Sequence, residues 1–208
     1  KYDIRALERT ILLSRTYQLS YAPNETNRFD KNNFSHALVR PLMAEQVVDV
    51  LNAALGVDEK FGQLPGLPGQ PGQEEAPAGT KMVEVGSSRL NGSVAYALRI
   101  FGRPPRTTAC DCERAMEPAL PQTLFRMTDA TVLGKFTDQN GRALTLAKSK
   151  LTNEELVEEA FLATLSRRPT AKEKADGLDH LKTAKTRTEG VTDLLWALVN
   201  TREFILNH

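Results

Sequence analysis

The sequence predicts a mainly α-helical fold, an irregular multi-helix bundle with long loops and little or no sheet. Three observations carry that expectation. Apolar residues recur at helical spacing in segment after segment of the chain. Two Thr-x-x-Glu capping boxes, Thr152/Glu155 and Thr170/Glu173, stand directly ahead of apolar runs. Against these there is one short run with extended preference, Met82, Val83 and Val85 within 81–85, and it has no obvious partner strand.

The elements follow in order. Asp3 predicts the N-cap of a helix over 4–19, with Ile4, Leu7, Ile11 and Leu12 as its apolar stripe. Residues 21–34 carry Pro23 and four asparagines and read as a loop. Pro41 predicts the start of a second helix, where first-turn proline is tolerated. Val47, Val48, Leu51, Ala54 and Leu55 line its buried face, and Gly56 closes it. Residues 61–80 hold four prolines and five glycines, which predicts a flexible surface loop. Its two collagen-like triplets are too few for a triple helix. Residues 93–101 predict a short helix ended by Gly102 and Pro104. Leu120, Leu124, Phe125 and Met127 predict a three-turn helix, which 131–136 extends or follows with another. Asp138-Gln139-Asn140-Gly141 is a turn, without the spaced acids and terminal Glu of a calcium loop.

The last third is the clearest. Leu156, Phe161, Leu162 and Leu165 follow the first capping box, and Leu178 and Leu181 the second. Leu194, Leu195, Leu198 and Val199 form a third face that Phe204, Ile205 and Leu206 close. Three helices with short connections predict a bundle, and no fixed long period supports a solenoid. The expected organisation is one helical module over 1–208, with lobes at 1–60 plus 81–140 and a three-helix end at 150–208.

Composition narrows the function classes. Apolar residues make up 40% and charged residues 25%, as in ordinary soluble globular proteins. The 27 basic and 26 acidic residues leave a net charge of +1, far from the basic field that attracts nucleic acid. Their alternation along the helices reads as a solvated surface. No apolar run reaches the length of a membrane span. The chain starts at Lys1 inside a helical pattern, which predicts a processed or cut fragment, so a missing targeting signal says nothing. No G-x-S-x-G elbow is present and His36, His180 and His208 are scattered, so no catalytic residue, resident metal or cofactor is expected.

One segment breaks the helical pattern. Residues 102–118, GRPPRTTACDCERAMEP, hold both cysteines, three arginines, three carboxylates and three prolines. The prolines oppose helix. Cys110 and Cys112, at i and i+2, do not make a zinc site by themselves. The segment is built either to hold a local structure or to present a site.

The run FGRPPRTTACDCER, the early LLSRTYQL at 12–19, ATLSRRPT at 163–170 and DLLWALVNTREFILNH at 193–208 together resemble the C-terminal PSD1 domain of planctomycete-type secreted proteins, a domain of unknown function. The resemblance implies an exported, periplasmic or cell-surface, multidomain bacterial parent whose other domains are partners, a cytochrome-c-like domain among them. It brings no agreed catalytic residues. There is no C-x-x-C-H here, so no covalent haem is implied. Asp111 stands where relatives carry Glu in a C-E-C-E-R run.

With that context the motif has several readings. Export favours a local Cys110–Cys112 disulfide, in a very small strained ring. The alternatives are two packed thiols, or a metal or redox site using Cys110, Cys112, Asp111, Glu113 or His36. Arg103, Arg106 and Arg114 with Glu113 and Glu117 form either a buried ion-pair network, the preferred reading, or a cradle for an anionic ligand such as a sulfate or carboxylate sugar. Glu113 and Arg114 are expected to hold the loop against the helix after Pro118. Carbohydrate binding would need an exposed aromatic platform, for which Tyr17, Tyr21, Tyr96 and Trp196 are the candidates, with Trp196 expected in the core. The function expected is a non-catalytic binding or scaffolding module. The alternatives are a redox or metal-dependent component beside a cytochrome domain, and a polysaccharide-binding module.

Overall fold

Helix dominates the computed structural model, which describes residues 2–59, 61, 76–85, 92–103 and 120–207. The mainly α fold is as the sequence predicts. The chain divides into two units, one of residues 1–41 with 206–208 and one of residues 42–205.

In the first unit, α1 (Ile4–Leu12) starts at Asp3, whose carboxylate accepts the Ala6 N–H at 3.0 Å. It ends well short of residue 19. The Ser14 hydroxyl accepts the Tyr17 N–H at 3.2 Å, and the Gln18 side-chain amide donates to the Leu12 carbonyl at 3.0 Å. Side chains thus take the bonds that would have propagated the helix. No residue of α1 is buried. The predicted loop after it is held by its own short polar side chains. Asn24 accepts from the Thr26 and Asn27 N–H groups. Asp30 accepts from the Ser35 hydroxyl and from the Asn32, Asn33 and Ser35 N–H groups. The Ser35 hydroxyl, then these backbone donors, hold the Asp30 carboxyl well below the usual carboxylate range. The unit closes with β1 (Arg40–Pro41) antiparallel to β2 (Leu206–Asn207), Arg40 opposite Asn207 and Pro41 opposite Leu206. Pro41 therefore sits in a strand pair and not in a helix.

In the second unit, α2 (Ala44–Leu55) begins at Met43, whose N–H the Gln46 side chain accepts at 2.9 Å. Gly56 ends it at φ 63°, as its position predicts. The segment at 81–85 is a 3₁₀ turn (Met82–Glu84) and not a strand. Glu84 accepts the Lys81 N–H, and Asp49 of α2 accepts the Met82 and Val83 N–H groups, so carboxylates satisfy donors that a partner strand would have needed. Next come α3 (Gly92–Ile100), α4 (Leu120–Thr128), α5 (Ala130–Phe136), α6 (Arg142–Lys148), α7 (Asn153–Leu165), α8 (Ala171–Thr183) and α9 (Arg187–Val199). Asp129 caps α5 and separates it from α4. Both predicted capping boxes form, at Thr152/Glu155 and Thr170/Glu173. Helix α6 has no counterpart in the sequence reading, because it buries only Ala143 and Leu146, too few for a visible period.

Two apolar clusters share α2 as a common wall. Leu51, Ala54 and Leu55 join the larger one, with α5 to α9, Phe204 and Ile205. Ala44, Val47 and Val48 join the smaller one, with Phe61, Met82, Val85, Val94, Ala97, Leu98 and Phe101. Phe125 packs against both. Four expected core positions differ: Leu162 of α7 and Leu120, Leu124 and Met127 of α4 are exposed. Helix α4 instead buries Gln122 and Arg126. Gln122 Nε2 donates to the Ile100 carbonyl at the end of α3, and Arg126 Nη1 donates to the Val199 and Thr201 carbonyls at the end of α9. Arg142 likewise donates to the Ala53 and Ala54 carbonyls at the end of α2, and Arg187 to the Ala147 carbonyl at the end of α6. Helix C-termini leave carbonyls unpaired, and a cation there also meets the negative end of the dipole. Several charges that read as solvated surface are therefore C-terminal caps.

Candidate functional site

The predicted site enters the described residues at one point. Gly102, at φ 84°, ends α3 with a left-handed turn, and the Arg103 N–H donates back to the Leu98 carbonyl at 2.8 Å. That turn directs Arg103 inward. Its Nε lies 3.3 Å from Glu45 Oε1, with both side chains nearly buried. Glu45 is in the first turn of α2, where a carboxylate also gains from the helix dipole. The pair ties the end of α3 to the start of α2. Arg106, Cys110, Asp111, Cys112, Glu113, Arg114 and Glu117 lie outside the described residues. So does the proposed clamp of Glu113 and Arg114, and so does 62–75 of the Pro/Gly-rich stretch.

Glu45 had no sequence signal as a partner of Arg103, because nothing local links the two positions. A second charge cluster likewise draws in a distant residue, Glu203. Arg167, just after α7, meets Glu173 Oε1 through Nη2 at 2.8 Å and Glu203 Oε1 through Nε at 2.6 Å. One guanidinium thereby fastens the end of α7 to the start of α8 and to the 3₁₀ turn Glu203–Ile205. Glu173 also completes its capping box by accepting the Thr170 N–H at 2.7 Å. The Arg167 hydrogen bond, with help from Thr170, holds the Glu173 carboxyl down to about 2. The two glutamates raise the Arg167 guanidinium further above its ordinary value, Glu203 most.

Other candidates fall into place around these. Both ring nitrogens of His36 face backbone carbonyls, of Ala37 at 3.0 Å and Asp30 at 3.1 Å, so the ring is engaged within its own loop. Among the described residues no three His, Cys, Asp or Glu side chains gather as metal ligands, and no helix is long and apolar enough to cross a membrane. Tyr17, Tyr21 and Tyr96 are exposed, whereas Trp196, expected in the core, is half-buried against the larger cluster. The first unit exposes Tyr2, Phe29 and Phe34 as well, together with the stripe Ile4, Leu7, Ile11 and Leu12 of α1.

A small pocket of about 30 Å³ opens where α2, α3, α4 and α5 meet. Val48, Leu51, Val94, Ala97, Phe125 and Val132 form its apolar wall. At its rim Lys135 Nζ donates to Asn52 Oδ1 at 2.8 Å and to Glu59 Oε2 at 2.5 Å. The sequence reading contained no hint of it, since its walls come from four separate helices.

A family model matches residues 1–181, that of PSD1, described as a protein of unknown function (DUF1553). The chain belongs to the PSD1 family. No curated protein and no solved structure matches it. The PSD1 match takes in Arg103, the stretch 104–118 and the Arg167–Glu173 pair. It stops at Leu181, ahead of α9 and of Glu203. Within the PSD1 match the best-defined polar constellations, Arg103–Glu45 and Arg167–Glu173, join helix ends to one another.

Proposed function

We propose that this PSD1 domain is a non-catalytic binding or scaffolding module of an exported multidomain bacterial protein, and that its partners are the other domains of that parent. One observation supports the reading above others: α1 carries a regular apolar stripe with no buried residue, Ile4 and Leu7 being 66% and 61% exposed. A contiguous exposed apolar face is the usual mark of an interaction surface. The buried arginines described above serve helix ends, which suits a scaffold more than a reaction centre. The export in this proposal is drawn only from the resemblance to planctomycete-type secreted proteins.

The test is a titration of the isotope-labelled chain with the separately produced neighbouring domains of the parent, the cytochrome-c-like domain first. Saturable amide shifts centred on residues 4–17 are expected. Leu7→Glu should weaken that association at least tenfold while leaving the melting temperature unchanged. Full association by the Leu7→Glu chain would overturn the reading.

A second reading, polysaccharide binding, draws on Tyr17, Tyr21, Phe29 and Phe34, all exposed in the first unit. Calorimetric titration with neutral dextran and with dextran sulfate tests it, and heat lost in Tyr17→Ala would favour it. A redox or metal-dependent role would rest on Cys110 and Cys112, outside the described residues.

A further inference from the structure

We propose that the outward face of α4 is the contact through which two copies of this chain associate, the two helices lying antiparallel about a two-fold axis at Leu124. The proposal is independent of the α1 stripe and of its reading as a surface for other domains. It starts from a helix turned inside out. Helix α4 buries its polar residues Gln122 and Arg126 and exposes Leu120, Leu124 and Met127. The burial has a cause, since Gln122 and Arg126 serve the carbonyls at the ends of α3 and α9. The exposure has none within the described fold: polar side chains at 120, 124 and 127 would leave those bonds intact. Single exposed leucines are ordinary on a monomer, whereas apolar residues at i, i+4 and i+7 line up along one helix face.

The composition of the face says what covers it. Among the described residues 120–134 the only charged side chains are Arg126 and Asp129, where the chain average of 25% would place about four. Arg126 is buried, and Asp129 is occupied by the N–H groups of Thr131 and Val132. Every exposed residue of that stretch is therefore uncharged, and Leu133 of α5 adds to its apolar share. Helix α8, by contrast, exposes Lys172, Asp176, Asp179 and Lys182. Interfaces are depleted of charge at their cores. A different protein is selected by complementary charge, which this face lacks. An anionic membrane would need basic side chains beside the apolar ones, and these too are missing. In a two-fold contact the same patch meets itself, and a charge at its centre would meet a like charge. A neutral face meets itself without that cost.

The spacing fits as well. Leu120 lies four residues before Leu124, and Met127 lies three after it. Two antiparallel α4 helices crossing at Leu124 thus bring Leu120 of each beside Met127 of the other. Thr128, also exposed, already donates its hydroxyl to the Leu124 carbonyl at 2.8 Å, so covering it strands no donor. A patch of this extent belongs to the small, transient class of interfaces, so association is expected at high micromolar concentration.

The full chain is followed by sedimentation velocity over a dilution series from micromolar to millimolar. A concentration-dependent rise from monomer to dimer is expected, and a monomer throughout overturns the proposal. Leu124→Glu and Leu124→Lys should each weaken the dimer at least tenfold with an unchanged melting temperature. Their equimolar mixture should regain it, because the two-fold axis sets one residue 124 against the other. A mixture that associates no better than either variant alone overturns the two-fold arrangement. Leu7→Glu should leave the dimer intact, and its loss there would place the second copy on α1 and overturn this face. If either variant at 124 fails to fold, methyl resonances of the unaltered chain decide. Shifts on dilution at Leu120, Leu124 and Met127 support the contact, and shifts confined to other residues overturn it.

Discussion

Helices α1 and α9 start from the same local rules and end in opposite environments. Each has a side-chain N-cap, Asp3 for α1 and Thr186 for α9, and each has an apolar stripe at helical spacing. In α9 that stripe is buried: Val191, Leu194, Leu195, Leu198 and Val199 pack in the larger cluster, and α6, α7 and α8 all contact the helix. In α1 nothing is buried. The difference teaches that periodicity reports which face is apolar and says nothing about what covers it. Coverage is a tertiary property, and it decides whether a leucine stabilises the fold or is left for a partner.

The comparison can be broken most directly by removing α9. A chain cut after Leu181, where the family match ends, should lose its cooperative thermal transition, because α6, α7 and α8 would each expose an apolar face. A sharp melt in circular dichroism from that truncated chain would show that the larger cluster does not depend on α9. Matched substitutions come next. Leu195 is fully buried, so Leu195→Ala should cost about 3 kcal/mol and roughly 10 °C in melting temperature. Arg126→Ala removes both caps on the end of α9 and should cost about 2 kcal/mol in a denaturant titration.

Acid sharpens the comparison further. The Glu173 carboxyl lies at about 2 in the folded chain, depressed from the ordinary 4.5 mainly by Arg167. Its contribution to stability is present in full above 4.5 and is lost as pH falls through 2. Melting temperature should therefore fall between these values, and Glu173→Gln should flatten that part of the profile. An unaltered slope in the variant would mean that the Arg167 cluster does not couple to folding. The smallest effect is expected at α1. Leu7→Ala should change stability by no more than about 0.5 kcal/mol, as at other exposed positions. A loss comparable to that of Leu195→Ala would show that the α1 face is covered within the isolated chain.

Much of the fold was legible because its signals are local. The Thr152/Glu155 and Thr170/Glu173 boxes, the closing glycines Gly56 and Gly102 and the turn at 138–141 each span a few residues and form as read. Errors arose where a distant group took over a local bond. Asp49 turned the extended-looking Met82 and Val83 into a 3₁₀ turn. The α9 terminus drew Arg126 inward and left Leu124 and Met127 of the same helix outside. Of the predicted site, Arg103 alone is among the described residues, and its partner Glu45 was unreadable because 58 positions separate them. The pocket was illegible for the same reason, since each wall residue reads as an ordinary core position in its own helix.

The cap that Arg126 places on α9 also sets a schedule. Its carbonyl partners lie 73 and 75 residues further along the chain. A polypeptide made at about 5–20 residues per second needs roughly 4–15 s to supply them, whereas helices form in about a microsecond. During that interval α4 to α8 can coil and uncoil, but the guanidinium must remain in water and the larger cluster must remain open. Closure of the larger cluster thus waits on α9, the last of the described helices to be made.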